Sequence, residues 1–438
     1  MSAAPEGRPL AGIRVLDLSR LIPGPWCSLM LADLGAEVIK IETPLAGDYA
    51  RIAPAELGFG GVFEALNRGK RSIAVNYRLP RGREVVLRLA ATADVFLEAS
   101  MPGQLARRGL GAAAVLAVNP RIVYCSLSGY GQEGPYRDRP GHDLDYLAIG
   151  GLLAVLGPAG ARPVPPGVQL ADVAGGTLAA LEILAALYRR ERTGEGAVLD
   201  VAVLDAIVAW LGTLGSGAAT AGVVPGPLAG TYPCYAVYPA ADGAFLAVGA
   251  LEPPFWVAFC RAIERVDLVP RQYDATAIPE VAAILASRSR AAWLAELGDD
   301  ACIAPVNTPA EAQRDPQVRA RGLVAGSGEA AHVVSPLRAV AGAGRGGGDS
   351  ATDGSGSDRA RGGAGDLPAP GLGADTLAVL AEAGYVDAEV RALIDAGVAA
   401  GPATAEATAR AVRLGSVLAR LAEHGRVAAR DRSRTTDG

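Results

Sequence analysis

The strongest constraint on the fold is a strand, helix, strand pattern near the start of the chain. Residues 13–19 (IRVLDLS) are β-rich, residues 20–25 (RLIPGP) break the pattern, residues 26–36 (WCSLMLADLGA) have helical apolar spacing, and residues 37–42 (EVIKIE) alternate again. A β-α-β unit of this kind, about thirty residues long, joins two parallel strands through a helix. The chain is therefore predicted to build a parallel sheet.

The same alternation continues as far as residue 211, through the runs SIAVNY, GREVVLRLAATA, DVFLEA and RIVYCSLSGYG. It predicts an α/β fold with a mostly parallel sheet covered by helices, in a large domain at residues 1–211. The turn after the first strand holds Pro-Gly-Pro and lacks the G-x-G-x-x-G fingerprint. A nicotinamide-dependent dehydrogenase is therefore not expected.

The remaining chain divides by composition. A connector at 212–228 precedes a smaller α/β domain at 229–310, which opens with a hairpin turning at Asp242-Gly243. Residues 342–373 are dominated by Gly, Ser, Asp, Arg and Pro and are predicted to be a disordered linker, because they cannot bury enough apolar surface. Residues 374–400 hold two helical patterns joined at a glycine, and 401–438 form a tail.

The net charge and the cysteines limit the classes of partner that the chain is expected to bind. The net charge of -5, with both signs interspersed, offers no basic surface for nucleic acid. The five cysteines form no C-x-x-C pair, so we expect neither a metal site nor a disulfide framework. The first residues do not resemble a signal peptide, and the longest apolar run, at 206–224, is interrupted by glycines. We therefore expect a cytoplasmic protein without a membrane partner.

Four stretches resemble a known family: LAGIRVLDLSRLIPGPWCSLMLADLGAEVIKIE, NRGKRSIAVNYRLPRG, GHDLDYLAIGGLL with RPVPPGVQLADVAGG, and ADGAFLAVGALEPPFW. Together they are similar to the family III CoA-transferase superfamily (CaiB/BaiF type), in particular its α-methylacyl-CoA racemase branch. The resemblance runs from about residue 9 to 334 and resumes at 372–398. It implies a Rossmann-like large domain, a small α/β domain, a return of the chain at 311–341 and 374–400, and an interlocked homodimer. It implies coenzyme A as part of an acyl-CoA substrate, with no prosthetic group.

The racemase branch uses a His and an Asp as its two acid/base groups, with a Glu that supports the His. By this resemblance the three residues are His142 in GHD, Asp172 in LAD and Glu252 in LEP. Inversion of a carbon next to a thioester requires one group to remove a proton from one face and another to deliver a proton to the opposite face. Asp172 lies among apolar residues, which favours a raised pKa and so a stronger base.

Other interpretations of these residues stay open. His142 can be a histidine at a helix start, Asp172 an N-cap, and Glu252 an acid favoured by a helix dipole. Within the family, a CoA-transferase would use Asp172 to form an anhydride and then an aspartyl-CoA thioester, with no comparable need for His142 or Glu252. A non-catalytic CoA-binding subunit is the third hypothesis.

The resemblance also implies contacts to CoA, at Lys40, Arg71, Val75 and Arg78, and Tyr146 is expected to line the acyl pocket. Met101 stands where the family usually has an arginine, a loss for which Arg107 or Arg108 can compensate. An enolate oxygen would need main-chain N–H donors at a helix start. Two stretches, HDLDYL and GGTLAAL, are the candidates for that start.

Overall fold

The computed structural model describes residues 8–44, 47–52, 60–157, 162–214, 230–297, 300–326, 332–334, 336–337 and 367–402. They belong to two compact units. The first unit is drawn from Met1–Asp143, Leu170–Ala206 and Ser335–Gly438, and the second from Leu144–Gln169 and Ile207–Val334.

This division differs from the predicted boundaries. Residues 144–169 belong with the second unit, where a side chain added at Gly150 would collide with Ile207. The chain returns to the first unit after Val334, which is within the predicted 311–341 return segment but later than its start. Neither feature has a local sequence signal, because both depend on contacts between distant residues.

The strands form three sheets. Those along the chain are β1 Arg14–Asp17, β2 Glu37–Glu42, β3 Arg71–Val75, β4 Val95–Glu98, β5 Val123–Ser128, β6 Ala197–Ala202, β7 Tyr235–Pro239, β8 Phe245–Gly249, β9 Ile303–Pro305, β10 Val324–Ala325, β11 His332–Val333 and β12 Ala399–Ala400. The first unit contains a seven-stranded sheet in the order β12-β3-β2-β1-β4-β5-β6, parallel except for β12. The predicted α/β fold with a mostly parallel sheet is confirmed.

The helices lie between these strands. They are α1 Pro23–Asp33, α2 Val62–Asn67, α3 Pro80–Ala90, α4 Gln104–Arg107, α5 Ala112–Val118, α6 Asp143–Ile149, α7 Leu170–Thr193, α8 Val203–Leu211, α9 Pro253–Ala262, α10 Ile278–Leu285, α11 Arg290–Glu296, α12 Pro309–Ala312, α13 Pro316–Ala320, α14 Thr376–Glu382 and α15 Asp387–Asp395. Short 3-10 helices occur at Tyr49–Arg51, Leu152–Val155, Gly212–Leu214, Val266–Arg271 and Ala275–Ala277.

Helix α7 lies in the connection between the parallel strands β5 and β6. Its end lies near the start of β5, where the Arg121 guanidinium donates to the Gly194 carbonyl at 3.0 Å. A crossover helix runs antiparallel to the strands that it joins, so α7 begins at the carboxyl edge of the sheet. Open α/β sheets bind their ligands at this edge.

Helix α7 is also long and apolar enough to cross a membrane, a property found in one helix of the described residues. Half of its apolar stretch is buried in the protein, as in the core helix of a soluble protein. It packs along α1, and Trp26 donates from its indole nitrogen to the Thr177 hydroxyl at 3.0 Å. Length and composition therefore do not make α7 a membrane segment.

The C-terminal part returns to the first unit as an ordered segment. Leu372 is buried together with Ala74 and Ala400, and β12 pairs with β3. The predicted disordered linker at 342–373 is therefore wrong for residues 367–373, which are ordered because Leu372 and the main chain of Gly373 contact β3. The rest of that prediction, and the tail beyond residue 402, lie outside the described residues.

The second unit contains the predicted hairpin. Strands β7, β8 and β9 form an antiparallel sheet, with Gly243 at a positive φ of 76° in the turn between β7 and β8. Its core includes Trp256 and Phe259 from α9. The short strands β10 and β11 pair antiparallel in a separate ladder.

The close approach of α1 and α7 depends on Gly176. A Cβ added there would lie 2.3 Å from the Pro23 carbonyl oxygen, and that backbone cannot rotate away. We expect Gly176→Ala to lower the free energy of unfolding by about 1 to 3 kcal/mol, the usual cost of overpacking. Urea denaturation would measure it. Gly212→Ala is the control, because a Cβ there meets no atom within 4 Å. Equal stabilities of the two variants would contradict the argument.

Candidate active site

The candidate site begins at the first turn of α7. Asp172 is the third residue of this helix, and the main-chain N–H groups of Ala171 and Asp172 donate to Asp143 Oδ1 at 2.6 and 3.1 Å. The helix therefore starts at Leu170 and is capped from a distant residue. Two sequence interpretations are wrong for this reason. Asp172 is not the N-cap, and GGTLAAL is not a helix start, because Gly175 and Gly176 are buried inside α7.

The environment of Asp172 raises the pKa of its carboxyl group towards neutral pH. The side chain is largely removed from water, and burial, followed by the negative charge of Asp143, raises its pKa to about 7. The pKa of Asp143 is also raised by burial, although the two N–H groups it accepts act in the opposite direction. A carboxyl group with its pKa raised in this way can act as an acid or as a base.

His142 directly precedes Asp143 and is exposed to solvent. Because the Asp143 carboxylate holds the first turn of α7, the His142–Asp143 segment is attached to the turn that carries Asp172. The structure thus brings His142 and Asp172 into the same part of the first unit. This link could not be inferred from the spacing of the motifs.

Glu252 and Tyr146 lie in the second unit. Glu252 is the N-cap residue of α9 and is exposed, and its main-chain carbonyl accepts from the N–H groups of Phe255 and Trp256. Its side chain makes no capping hydrogen bond. Tyr146 is buried on α6. The support of His142 by Glu252 and the role of Tyr146 stay predictions.

The order of strands in the sheet reverses at β1, which lies between β2 and β4. Such a switch point opens a crevice beyond the carboxyl ends of β1 and β4. The segment that leaves β4 carries Met101, which is 40% exposed, followed by Gly103 at a positive φ of 73°. The residue that replaces the family's usual arginine is thus exposed in the segment next to the expected ligand crevice.

Two arginines converge on Gly103. A Cβ added there would lie 3.1 Å from Arg107 Nη1 and 3.3 Å from Arg137 Nη2. Arg107 was one of the two predicted replacements for the missing arginine, whereas Arg137 was not predicted. Arg137 donates from Nε to the Gln132 carbonyl at 2.8 Å, which orients its guanidinium group. Its signal in the sequence is the basic run PYRDRPG just before His142.

The residues that are predicted to contact CoA differ in their burial and in their charged neighbours. The Lys40 side chain is fully buried and its Nζ lies 3.0 Å from Asp48 Oδ2. Arg71 pairs with Glu37 at 2.6 Å and with Glu382 of α14 at 2.9 Å. A phosphate would have to displace these carboxylates to reach either cation. CoA binding through the side chains of Lys40 and Arg71 therefore stays a prediction.

Val75 and Arg78 complete this set. Val75 is fully buried in β3, where its main chain pairs with Ala399. Arg78 is exposed, and the part of the chain that the structure describes contains no ion pair with its guanidinium group. Of the four predicted contacts, Arg78 has the charge most accessible to an anion.

The described residues include no cluster of three or more His, Cys, Asp or Glu side chains that could hold a metal ion. All five cysteines are free thiols, and four of them are buried.

The Rossmann-like strand order, with a largely buried aspartate near the carboxyl edge of the sheet, is the architecture of an α/β enzyme. Residues 10–343 match CoA-transferase family III, and the chain belongs to this family. The resemblance noted in the sequence is thereby confirmed.

Relatives of both reaction types are similar to the chain. It is 36% identical over 325 residues to alpha-methylacyl-CoA racemase from Homo sapiens, covering 72% of this chain and 81% of that protein. It is 34% identical over 343 residues to succinyl-CoA:glutarate CoA-transferase from Homo sapiens, covering 72% and 76%. The structure of a CAIB/BAIF family protein from Brucella suis matches with a TM-score of 0.71 and 29% identity, covering 86% of this chain and 100% of that one. Identity alone does not choose between the two reactions.

Proposed function

We propose that the protein is a 2-methylacyl-CoA racemase that inverts the α-carbon by removing and returning a proton through His142 and Asp172. The observation that carries this proposal is the placement of Asp172, whose largely buried carboxyl group lies on the first turn of α7, which Asp143 holds. Burial and then the charge of Asp143 raise the pKa of Asp172 to about 7. A group that gives and takes a proton works best when its pKa lies near the operating pH. Only the ionised carboxylate is a nucleophile, so a raised pKa suits proton transfer better than attack on a thioester.

The reaction assigns one group to each face of the substrate. One base removes the α-proton, the electron pair moves towards the thioester carbonyl as an enolate, and the other group delivers its proton to the opposite face. For the reverse direction, His142 and Asp172 exchange roles. Because one proton leaves and one returns, no oxidant or second substrate is needed. Glu252 is proposed to support His142, as in the racemase branch.

The CoA part of the substrate carries phosphates, and the overall negative charge of the chain does not attract them. Local cations must hold them. Arg107 and Arg137, which converge on Gly103 beside the switch-point crevice, and the exposed Arg78 are the proposed contacts. Exposed Met101 is free to pack against the adenine ring. A homodimer and a cytoplasmic location stay predictions.

The test is α-proton exchange. The purified protein is incubated with one enantiomer of a 2-methylacyl-CoA in deuterated water, and mass spectrometry and chiral analysis follow deuterium and configuration. We expect deuterium at the α-carbon together with the opposite enantiomer. Complete absence of exchange between pH 5 and 9 would exclude the racemase.

The alternative is a CoA-transferase, a second candidate because the chain is also 34% identical to succinyl-CoA:glutarate CoA-transferase. It would move CoA from an acyl-CoA to a carboxylic acid through an anhydride and a thioester on Asp172. His142→Ala separates the reactions, because it should stop α-proton exchange and leave CoA transfer largely intact. Trapping of an activated Asp172 by hydroxylamine in the presence of acyl-CoA would support the transferase.

A further inference from the structure

Asp143 connects two segments that are far apart in the chain. It is the first residue of α6, and its Oδ1 accepts hydrogen bonds from Ala171 and Asp172, 28 and 29 residues further along. Both bonds end on the first turn of α7. A carboxylate that accepts from two main-chain N–H groups holds such a turn more firmly than one bond would.

The negatively charged carboxylate of Asp143 lies at this first turn of α7. The side chain is half-buried, and among the described residues no lysine or arginine forms an ion pair with it. The Asp143 carboxylate lies 3.1 Å from the main-chain nitrogen of Asp172, in a partly dry environment. Such an arrangement disfavours two simultaneous negative charges.

The other elements packed against the start of α7 bring mainly uncharged groups to it. Helix α1 contributes the Pro23 carbonyl at Gly176 and the Trp26 indole at Thr177, and Val203 of α8 lies against Gly175. The pKa of the Cys27 thiol on α1 is shifted by burial and by the charges of Asp17 and Lys70, and Asp172 is not among the causes.

Three more titratable groups lie on the segments next to the start of α7 and Asp143. Asp205 of α8 interacts with Asp200, and His142 and Asp145 flank Asp143 on its own segment. The negative charge of Asp143 is one of the causes that raise the pKa of Asp172, after burial.

We propose that Asp143 is a positioning residue for Asp172: its carboxylate fixes the first turn of α7 and supplies the negative charge that this turn faces. The inference deepens the proposed function and rests on it for its catalytic meaning. It assigns to Asp143 a task that differs from proton transfer: its Oδ1 accepts two hydrogen bonds from the first turn of α7.

Asp143→Asn tests the charge alone, because an Asn side-chain oxygen can keep both hydrogen bonds. The Asp172 carboxyl carbon is followed by NMR in protein labelled at aspartate, with Asp172→Asn used to assign its signal. We expect the titration midpoint of Asp172, about 7 in the native protein, to fall by about one pH unit in Asp143→Asn. Asp387→Asn removes an exposed acid at the first residue of α15 and should leave the midpoint unchanged.

The α-proton exchange assay adds a catalytic readout. In Asp143→Asn the acid limb of the pH-rate profile should move down with the midpoint, while the maximal rate stays within about tenfold of the native rate. Asp143→Ala also loses both hydrogen bonds and should lower the rate at every pH. A midpoint equal to the native value in Asp143→Asn would overturn the proposal. If the native protein exchanges no α-proton, the proposed function fails, while the NMR titration still decides the role of Asp143.

Discussion

Asp172→Asn is expected to lower α-proton exchange at least about 100-fold, because an amide of the same shape can neither accept nor return the proton. Mass spectrometry of deuterium incorporation measures the loss. Asp205→Asn is the matched control, because Asp205 is also the third residue of its helix and burial raises its pKa as well. That variant should keep the native rate. Exchange within tenfold of native in Asp172→Asn would contradict a proton-transfer role.

The stability of Asp172→Asn shows whether its loss of exchange activity comes from the missing carboxyl group or from unfolding. The pKa of Asp172 is higher in the folded protein than in an unfolded chain, so the folded state binds more protons between about pH 4 and 7. Stability therefore decreases as the pH rises through this range. Asn carries no charge and avoids this penalty, so Asp172→Asn should be at least as stable as the native protein at pH 8. An inactive variant that unfolds more easily at pH 8 would point to a structural cause.

Asp17→Asn is expected to be the most destabilising of the proposed substitutions, at about 3 to 5 kcal/mol. Asp17 is fully buried at the end of β1 and lies 3.4 Å from the ammonium group of Lys70. Burial alone would raise its pKa, but the charges of Lys40 and Lys70 and the hydroxyls of Ser19 and Ser28 lower it to about 2. Loss of its charge leaves buried cations poorly compensated, and urea denaturation at pH 7 would measure the effect.

Two comparisons make this prediction specific. Glu195→Gln breaks an exposed pair with Arg189 and should cost no more than about 1 kcal/mol. Adding Lys70→Met to Asp17→Asn removes one uncompensated charge and should restore part of the lost stability. If Asp17→Asn costs no more than Glu195→Gln, the buried charges do not stabilise this part of the protein.

Much of the first unit could be predicted because its signals are local. The alternating run at 37–42 forms β2 with the predicted bounds, and the apolar spacing at 26–36 lies largely within α1. These elements depend on side-chain periodicity over a few residues. The start of α7 was misplaced because its cap, Asp143, lies 28 residues away, and no local pattern announces such a partner.

The candidate site was predictable in part. The resemblance to the family pointed to His142 and Asp172, and the structure attaches the His142–Asp143 segment to the turn that carries Asp172. The cations were harder to assign, because the sequence does not reveal which carboxylates face Lys40 and Arg71. Arg137 could not be assigned from the sequence either, because Arg137 and Arg107 come together only in the folded chain, at Gly103.

The sequence by itself determined the α/β class, the parallel strands and the residue types available for acid/base chemistry, since each depends on periodicity or on a short motif. Only the tertiary structure determined the burial and the charge contacts of those residues. It buried Asp172, placed Asp143 on the first turn of α7, and engaged Lys40 and Arg71 with internal carboxylates. Burial and charge contacts between distant residues shift proton affinities, and they arise only when the chain has folded.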